Sequence, residues 1–252
     1  MVGGASALLG TRRVAAFVAL SVAIGVYYAT HESWFSLSLW WSLAWLCFVL
    51  IPAVFGLVWL VLPAWSLPIR YLFGVALGFG AAAVALQLAG AEPVANFAKL
   101  GAMTFAAWCF LRFFEELSWV VLVALIVPFV DSYSVWRGPT KTIVTKKPEV
   151  FSALSFTFPV PGSQGGAKLG LPDLLFFALF LGAAARWQLR TGWTWICLTA
   201  SIGGTMALAT WLDVDGLPAL PLLALGFLLP NADLLWRAVR GRAATGHPRS
   251  QR

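Results

Sequence analysis

The chain has 252 residues, of which 60% are hydrophobic and 11% are charged, and its formal net charge is +7. A soluble globular domain carries about 25% charged and about 45–50% apolar residues, so the composition excludes that class and predicts a polytopic membrane protein. The basic residues flank apolar stretches, which indicates membrane topology and contact with anionic lipid headgroups and argues against nucleic acid as a partner.

Membrane-spanning helices are predicted wherever roughly 20 apolar residues follow one another. These stretches are Val14–Thr30, Phe35–Val61, Tyr71–Ala91, Phe97–Phe113, Leu117–Trp136, Ala167–Trp187, Trp193–Leu212 and Leu217–Val239. Pro52 leaves open a division of the second stretch, because proline removes a helical hydrogen bond. We therefore expect an all-α membrane bundle of about eight or nine transmembrane helices.

The domain organisation is expected to be one transmembrane domain over residues 1–252. N-terminal helices occupy residues 1–116, a second half occupies residues 117–239 with a long loop at 137–166, and a basic tail occupies residues 240–252. Arg12-Arg13 before an apolar run resembles a twin-arginine export signal, but no convincing cleavage site follows and we favour a retained first helix.

Positive charge predicts the orientation. In an eight-helix arrangement the basic turns and the basic tail fall on one side, which we take as cytoplasmic, and the acidic turns at Glu92 and Asp213 fall outside. The basic loop after Arg137 is the exception, because it also falls outside. We expect a multi-pass protein of the cell membrane with both termini in the cytoplasm.

Two aspartates, Asp131 and Asp173, lie inside apolar stretches. An ionised carboxylate in hydrocarbon costs at least ~2.5–3.5 kcal/mol, so such residues usually serve a function. Both lie roughly 8–9 Å from the same end of consecutive antiparallel helices, which allows their side chains to meet. Two carboxyls in contact share a proton and can activate water. The alternative is two separate acids that reach water at the helix ends.

Helix-disturbing residues surround both aspartates. Pro128 precedes Asp131 by one turn, and Gly170-Leu171-Pro172 precede Asp173. Unpaired backbone at membrane depth is tolerated where it lines protein or a water-filled cavity, and a hydrolase needs that water. Pro218 and Pro221 either loosen the start of the last helix or pre-set its first turn.

Three ordered motifs carry a family resemblance: Asp131-Ser132-Tyr133-Ser134-Val135, Gly170-Leu171-Pro172-Asp173 and Pro218-Ala219-Leu220-Pro221. Between Leu117 and Trp236 the chain resembles the prokaryotic members of the presenilin and signal peptide peptidase superfamily of intramembrane aspartyl proteases. The resemblance implies a presenilin-like bundle with Asp131 and Asp173 as the catalytic pair. It also implies that Gly170, Leu171, Pro172, Pro218, Ala219, Leu220 and Pro221 support the substrate site.

The segment from Leu154 to Pro159 alternates apolar and polar residues, as a strand does. It resembles the family segment that pairs with an unwound substrate, which would give Phe156 and Phe158 a supporting role. Strand addition would expose a peptide bond that a transmembrane helix hides. The alternative is a loop that packs on the mouth of the bundle.

Two positions depart from the family pattern: Val130 replaces a tyrosine and Pro172 replaces a glycine. These departures leave open a catalytically silent homologue. A second alternative is a proton-coupled transporter that uses the paired acids. A third is a prepilin-peptidase-like protease, and the Pro218–Pro221 element argues against that one. The chain has no His-Glu-x-x-His motif, and we expect neither metal nor cofactor. The expected partners are transmembrane or signal-peptide-like polypeptides and membrane lipids, with the oligomeric state left open.

Overall fold

The computed structural model describes residues 10–137, 153–214 and 216–245, with only the backbone described for residues 136 and 239–245. Within these ranges the chain is mostly helical. Its helices and strands are α1 (Thr11–Thr30), α2 (Leu39–Trp45), α3 (Ile51–Val61), α4 (Ile69–Leu88), α5 (Glu92–Leu111), α6 (Leu117–Arg137), β1 (Ser155–Pro159), β2 (Gly166–Gly170), α7 (Leu171–Arg186), α8 (Thr191–Trp211) and α9 (Leu220–Thr245).

Five helical runs in the described part of the chain are long and apolar enough to cross a membrane. They are Thr11–Ser33, Leu39–Ser66, Ile69–Leu88, Glu92–Leu111 and Leu117–Val135. Each of the eight predicted apolar stretches contains a helix. The prediction of a helical membrane bundle is therefore confirmed at this coarse level.

Pro52 does not divide the second run. A π-helical turn at Leu46–Leu50 joins α2 to α3, and a 3₁₀ turn at Leu62–Ser66 extends the run beyond α3. Pro52 follows the π turn directly, at the first turn of α3. A π turn shifts the hydrogen-bond register by one residue, so the missing proline N–H is accommodated without a break in the helix.

The sixth predicted helix is wrong at its start. Helix α7 begins at Leu171, and the residues from Ala167 to Gly170 belong to β2, which pairs antiparallel with β1. The segment Leu154–Pro159, predicted to be strand-like with a loop as the alternative, forms a strand over Ser155–Pro159, so the all-α expectation fails in this hairpin. Gly162 has a φ of +67°, a conformation that glycine adopts without penalty, at the turn between the strands.

Helix α7 forms the centre of the bundle, and its residues from Phe177 to Ala184 are all buried. The Phe177 ring lies 4.0 Å from the Phe55 ring of α3, centroid to centroid. Gly182 lies against Trp108 of α5, whose indole N–H donates to the Ala178 carbonyl. This packing fixes the position of α7, and with it the start of the helix that carries Asp173.

The bundle has two chemically different ends. At the basic end, Arg112 donates to the carbonyls of Trp65 and Leu67, and Arg186 donates to that of Leu111. At the hairpin end, the Gly162 N–H donates to the His31 carbonyl just after α1. The long described helices run from one end of the bundle to the other, so the hairpin lies at the end opposite the basic end.

Candidate active site

Asp131 lies on α6, six residues before the helix ends at Arg137 and one turn after Pro128. Its side chain is half-buried, whereas its neighbour Val130 is exposed. The Oδ2 atom of Asp131 accepts a hydrogen bond from the backbone N–H of Leu220 at 3.1 Å. The first predicted catalytic residue therefore contacts the third predicted motif directly.

The contact has a local cause at the start of α9. The Ala219 carbonyl accepts the first helical hydrogen bond, from the Leu223 N–H at 3.0 Å, so Leu220 is the first helical residue and Pro221 the second. The first N–H groups of a helix have no acceptor within the helix. The Asp131 carboxylate supplies one for Leu220. Of the two readings of Pro221, the structure favours a proline that sits in the first turn of the helix.

Asp173 is the third residue of α7, and Gly170 is the residue that caps this helix. The Gly170 N–H donates to the Asp173 carboxylate, the arrangement in which an acid at the third helical position reaches back to the cap. A Cβ atom at position 170 would lie 3.2 Å from Asp173 Oδ2, so glycine permits this close approach. Pro172 occupies the second helical position, where a missing N–H leaves no helical bond unmade.

The two carboxylates lie within electrostatic range of each other. The depth argument that predicted their meeting needs one correction. Asp173 stands three residues into its helix, not six, because strand β2 replaces the predicted first residues of that helix. The strand rises about 3.3 Å per residue and the helix about 1.5 Å, so depth counted in helical residues does not hold on this side of the pair.

Both carboxylates also lie at the N-termini of helices, Asp131 at α9 and Asp173 at α7. A helix N-terminus carries about half a positive elementary charge and unpaired N–H groups, which favour a carboxylate. This convergence was not predicted. A signal for it was present, since Pro172 and Pro221 occupy the first turn of each helix, a position that proline prefers.

Side chains from α1 and α5 cover the outer edge of β1. Tyr27 Oη donates to the Pro159 carbonyl and Tyr28 Oη to the Thr157 carbonyl, both at 2.9 Å. From α5, Lys99 Nζ donates to the Ser155 carbonyl at 3.1 Å, and Asn96 Oδ1 accepts from the Thr157 N–H at 3.4 Å. These four side chains, which we call the hairpin anchor (Tyr27, Tyr28, Asn96 and Lys99), satisfy the polar groups that a third strand would otherwise satisfy.

None of the hairpin anchor residues was predicted to act on the site. Lys99, inside the predicted apolar stretch Phe97–Phe113, is buried and bonded to β1. The sequence of its own helix does not indicate this contact, because the partner lies in a distant segment of the chain.

The two aromatic residues proposed to support substrate pack into the core. Phe156 and Phe158 are fully buried, with their rings edge to face at 4.8 Å. They hold the hairpin on the bundle and do not face an open cleft. Of the other predicted support residues, Ala219 and Leu220 are buried, Pro172 is exposed and Gly170, Leu171, Pro218 and Pro221 are half-buried.

Within the described ranges, no three His, Cys, Asp or Glu side chains form a group that could hold a metal ion. The chain matches no protein-family model, and no curated protein is significantly similar to it.

Proposed function

We propose that the protein is an intramembrane aspartyl protease that hydrolyses peptide bonds in or near transmembrane segments, with Asp131 and Asp173 as its catalytic pair. The observation that supports this proposal is the approach of two carboxylates from different helices, each hydrogen-bonded to a backbone N–H at a helix N-terminus. We further propose a presenilin-like arrangement of about eight transmembrane helices.

The chemistry needs one proton shared between the two carboxyls. The ionised member takes a proton from water while the oxygen of that water adds to the peptide carbonyl carbon. The protonated member donates to the carbonyl oxygen, which gives a tetrahedral gem-diol. The carbon–nitrogen bond then breaks as a proton passes to the leaving nitrogen, and the products are a carboxylic acid and an amine.

The backbone N–H groups support the charge of this cycle. An N–H donated to an ionised carboxylate makes a charge-assisted hydrogen bond, which is roughly twice as strong as a neutral one. Leu220 and Gly170 provide one such donor to each aspartate. The Pro218–Pro221 element would thus orient Asp131 by its backbone rather than by its side chains.

The hairpin supports the proposed substrate class, a transmembrane or signal-peptide-like segment. On either side of β2, the Leu171 N–H donates to the Leu154 carbonyl, and the Val160 N–H donates to the Gly165 carbonyl. The alternation of an antiparallel pair therefore turns the backbone N–H and C=O groups of Gly166, Lys168 and Gly170 away from β1. The hairpin anchor occupies the outer edge of β1, so an unwound transmembrane or signal-peptide-like segment would add to β2. Gly170 ends that edge three residues from Asp173, which would bring an exposed peptide bond to the carboxylates.

The decisive experiment is cleavage of a tagged single-span substrate by the purified protein in vesicles, with wild type compared to Asp131→Ala. Cleavage by wild type alone supports the proposal. Absence of cleavage, together with proton uptake that depends on Asp131, would instead favour the proton-coupled transporter.

A further inference from the structure

An apolar groove of about 760 Å³ runs between α4 and α5, and none of its lining residues lies on the helices that carry Asp131 and Asp173. Its floor is made of small residues, and bulkier apolar side chains form its walls. The lining residues from α4 include Arg70, Phe73, Ala76 and Ala81, and those from α5 include Ala102 and Ala106.

The groove has the length of one membrane leaflet. It extends along α4 from Ile69 to Ala81, which is roughly 18 Å at the helical rise. Half of a hydrocarbon core of ~30 Å is ~15 Å. A groove that begins at the basic end therefore reaches the middle of the bilayer, which is the depth of the acyl chains of a single leaflet.

The open end of the groove carries positive charge. Arg70 lines it and stacks on the Tyr71 ring, 4.9 Å from its centroid. At the same end of the bundle, Arg112 donates to the Leu67 carbonyl just before α4. Arg186 lies within electrostatic range of Arg112, a like-charge pair that is unfavourable without an anion.

Nearby groups only partly compensate these cations. Glu115 and Glu116 lie in the turn after α5, and both are exposed. The Arg112 guanidinium is held by backbone carbonyls, and its buried Nε–H has no acceptor among the described atoms. Arg70 is the charged residue that lines the groove, and Arg112 and Arg186 add positive charge at the same end of the bundle. This charge favours an anionic group at that end of the groove.

We infer that the α4–α5 groove binds one anionic phospholipid of the leaflet at the basic end, with its acyl chain along Ala76, Ala81 and Ala106 and its phosphate at Arg70. The inference does not depend on proteolysis, because no residue of the hairpin or of the helices that carry the aspartates lines the groove.

The test uses the full chain, purified in detergent and mixed with equal amounts of phosphatidylglycerol and phosphatidylcholine that carry the same acyl chains. Native mass spectrometry counts the lipids that stay bound. A basic residue near a membrane surface contributes about 1 kcal/mol to anionic lipid binding, so we expect about fivefold preference for phosphatidylglycerol from Arg70 alone.

Two matched pairs of variants locate the site. Arg70→Gln should remove most of that preference, whereas Arg12→Gln, at the same end but outside the groove, should keep it. Ala81→Phe, which fills the groove, should lower the retention of both lipids, whereas Val84→Phe, exposed on the same helix, should not. Equal retention of the two lipids by wild type, or an Ala81→Phe protein that retains both like wild type, would overturn the inference. Displacement of the bound lipid by soluble glycerol phosphate would show a free-phosphate site and would also overturn it.

Discussion

The backbone N–H of Leu220 donates to Oδ2 of Asp131 at 3.1 Å, across 89 positions of the chain. The bond joins the start of α9 to the C-terminal part of α6. It gives the Pro218–Pro221 element a direct physical task, since the proline after Leu220 fixes the first helical turn and the free N–H in that turn holds the carboxylate. The first four predictions below concern this end of the molecule.

We expect Asp131→Asn and Asp173→Asn each to lower the rate of substrate cleavage by about 10⁴-fold or more, because the amide can neither serve as base nor share the proton. The double variant should be no slower than the worse single variant. Asp213→Asn, in the exposed turn after α8, is the matched control and should cleave normally. Initial rates in vesicles measure all four proteins. Near-normal turnover by Asp173→Asn would show that the two acids do not act as a pair.

Leu220→Pro removes the N–H that Asp131 accepts, and proline is compatible with the first helical position. A hydrogen bond to a charged group contributes about 1.5–3 kcal/mol, so we expect cleavage per folded molecule to fall roughly 10- to 100-fold. Leu220→Ala loses the same buried side chain but keeps the N–H, and it should retain its rate once the folded fraction is corrected for. Equal rates for the two variants would mean that the hydrogen bond does not serve catalysis.

The hairpin anchor is expected to position Asp173 through β1, β2 and Gly170. Tyr28→Phe leaves the Thr157 carbonyl without its donor, at a cost of about 1–3 kcal/mol. We expect faster amide hydrogen exchange in β1 and a lower maximal cleavage rate, with a stronger effect when Tyr27→Phe is added. Tyr133→Phe, exposed on α6, is the control. Unchanged exchange in β1 would contradict an anchoring role whether or not the protein is a protease.

Pro172→Gly restores the glycine of the family pattern and returns an N–H beside Asp173. We expect an active enzyme whose cleavage sites shift, since glycine permits closer approach of a substrate backbone, together with a loss of about 1 kcal/mol in stability. Mass spectrometry of the products from one substrate measures the shift. Pro172→Ala, which returns the N–H with less freedom, separates the two effects. An identical product pattern at an identical rate would make Pro172 a tolerated structural substitution.

The orientation can be tested with single cysteines in a chain whose three native cysteines are replaced. Ser163→Cys, in the hairpin turn, should react with an impermeant reagent from outside intact cells. Ser66→Cys, at the basic end, should react only after the membrane is opened. This outcome would place the termini in the cytoplasm and favour substrates with cytoplasmic N-termini. The reverse pattern would overturn both expectations.

The sequence alone determined the class of the protein and the approximate positions of its helices apart from the start of α7, because hydrophobic runs and their polar breaks are local properties. It also singled out Asp131, Asp173 and the Pro218–Pro221 element, since acids and prolines are rare enough in apolar stretches to be noticed. The strand at Ser155–Pro159 was also predictable, because the alternation of apolar and polar residues is a local pattern.

Tertiary structure decided what those residues contact. The sequence predicts the residues of β2 as the start of a helix because they continue into α7. Only their pairing with β1 makes them a strand. The Leu220 N–H and the hairpin anchor lie on different helices from the groups they meet. Hydrogen bonds between distant segments depend on how the helices pack, and packing is a property of the whole bundle that no single segment encodes.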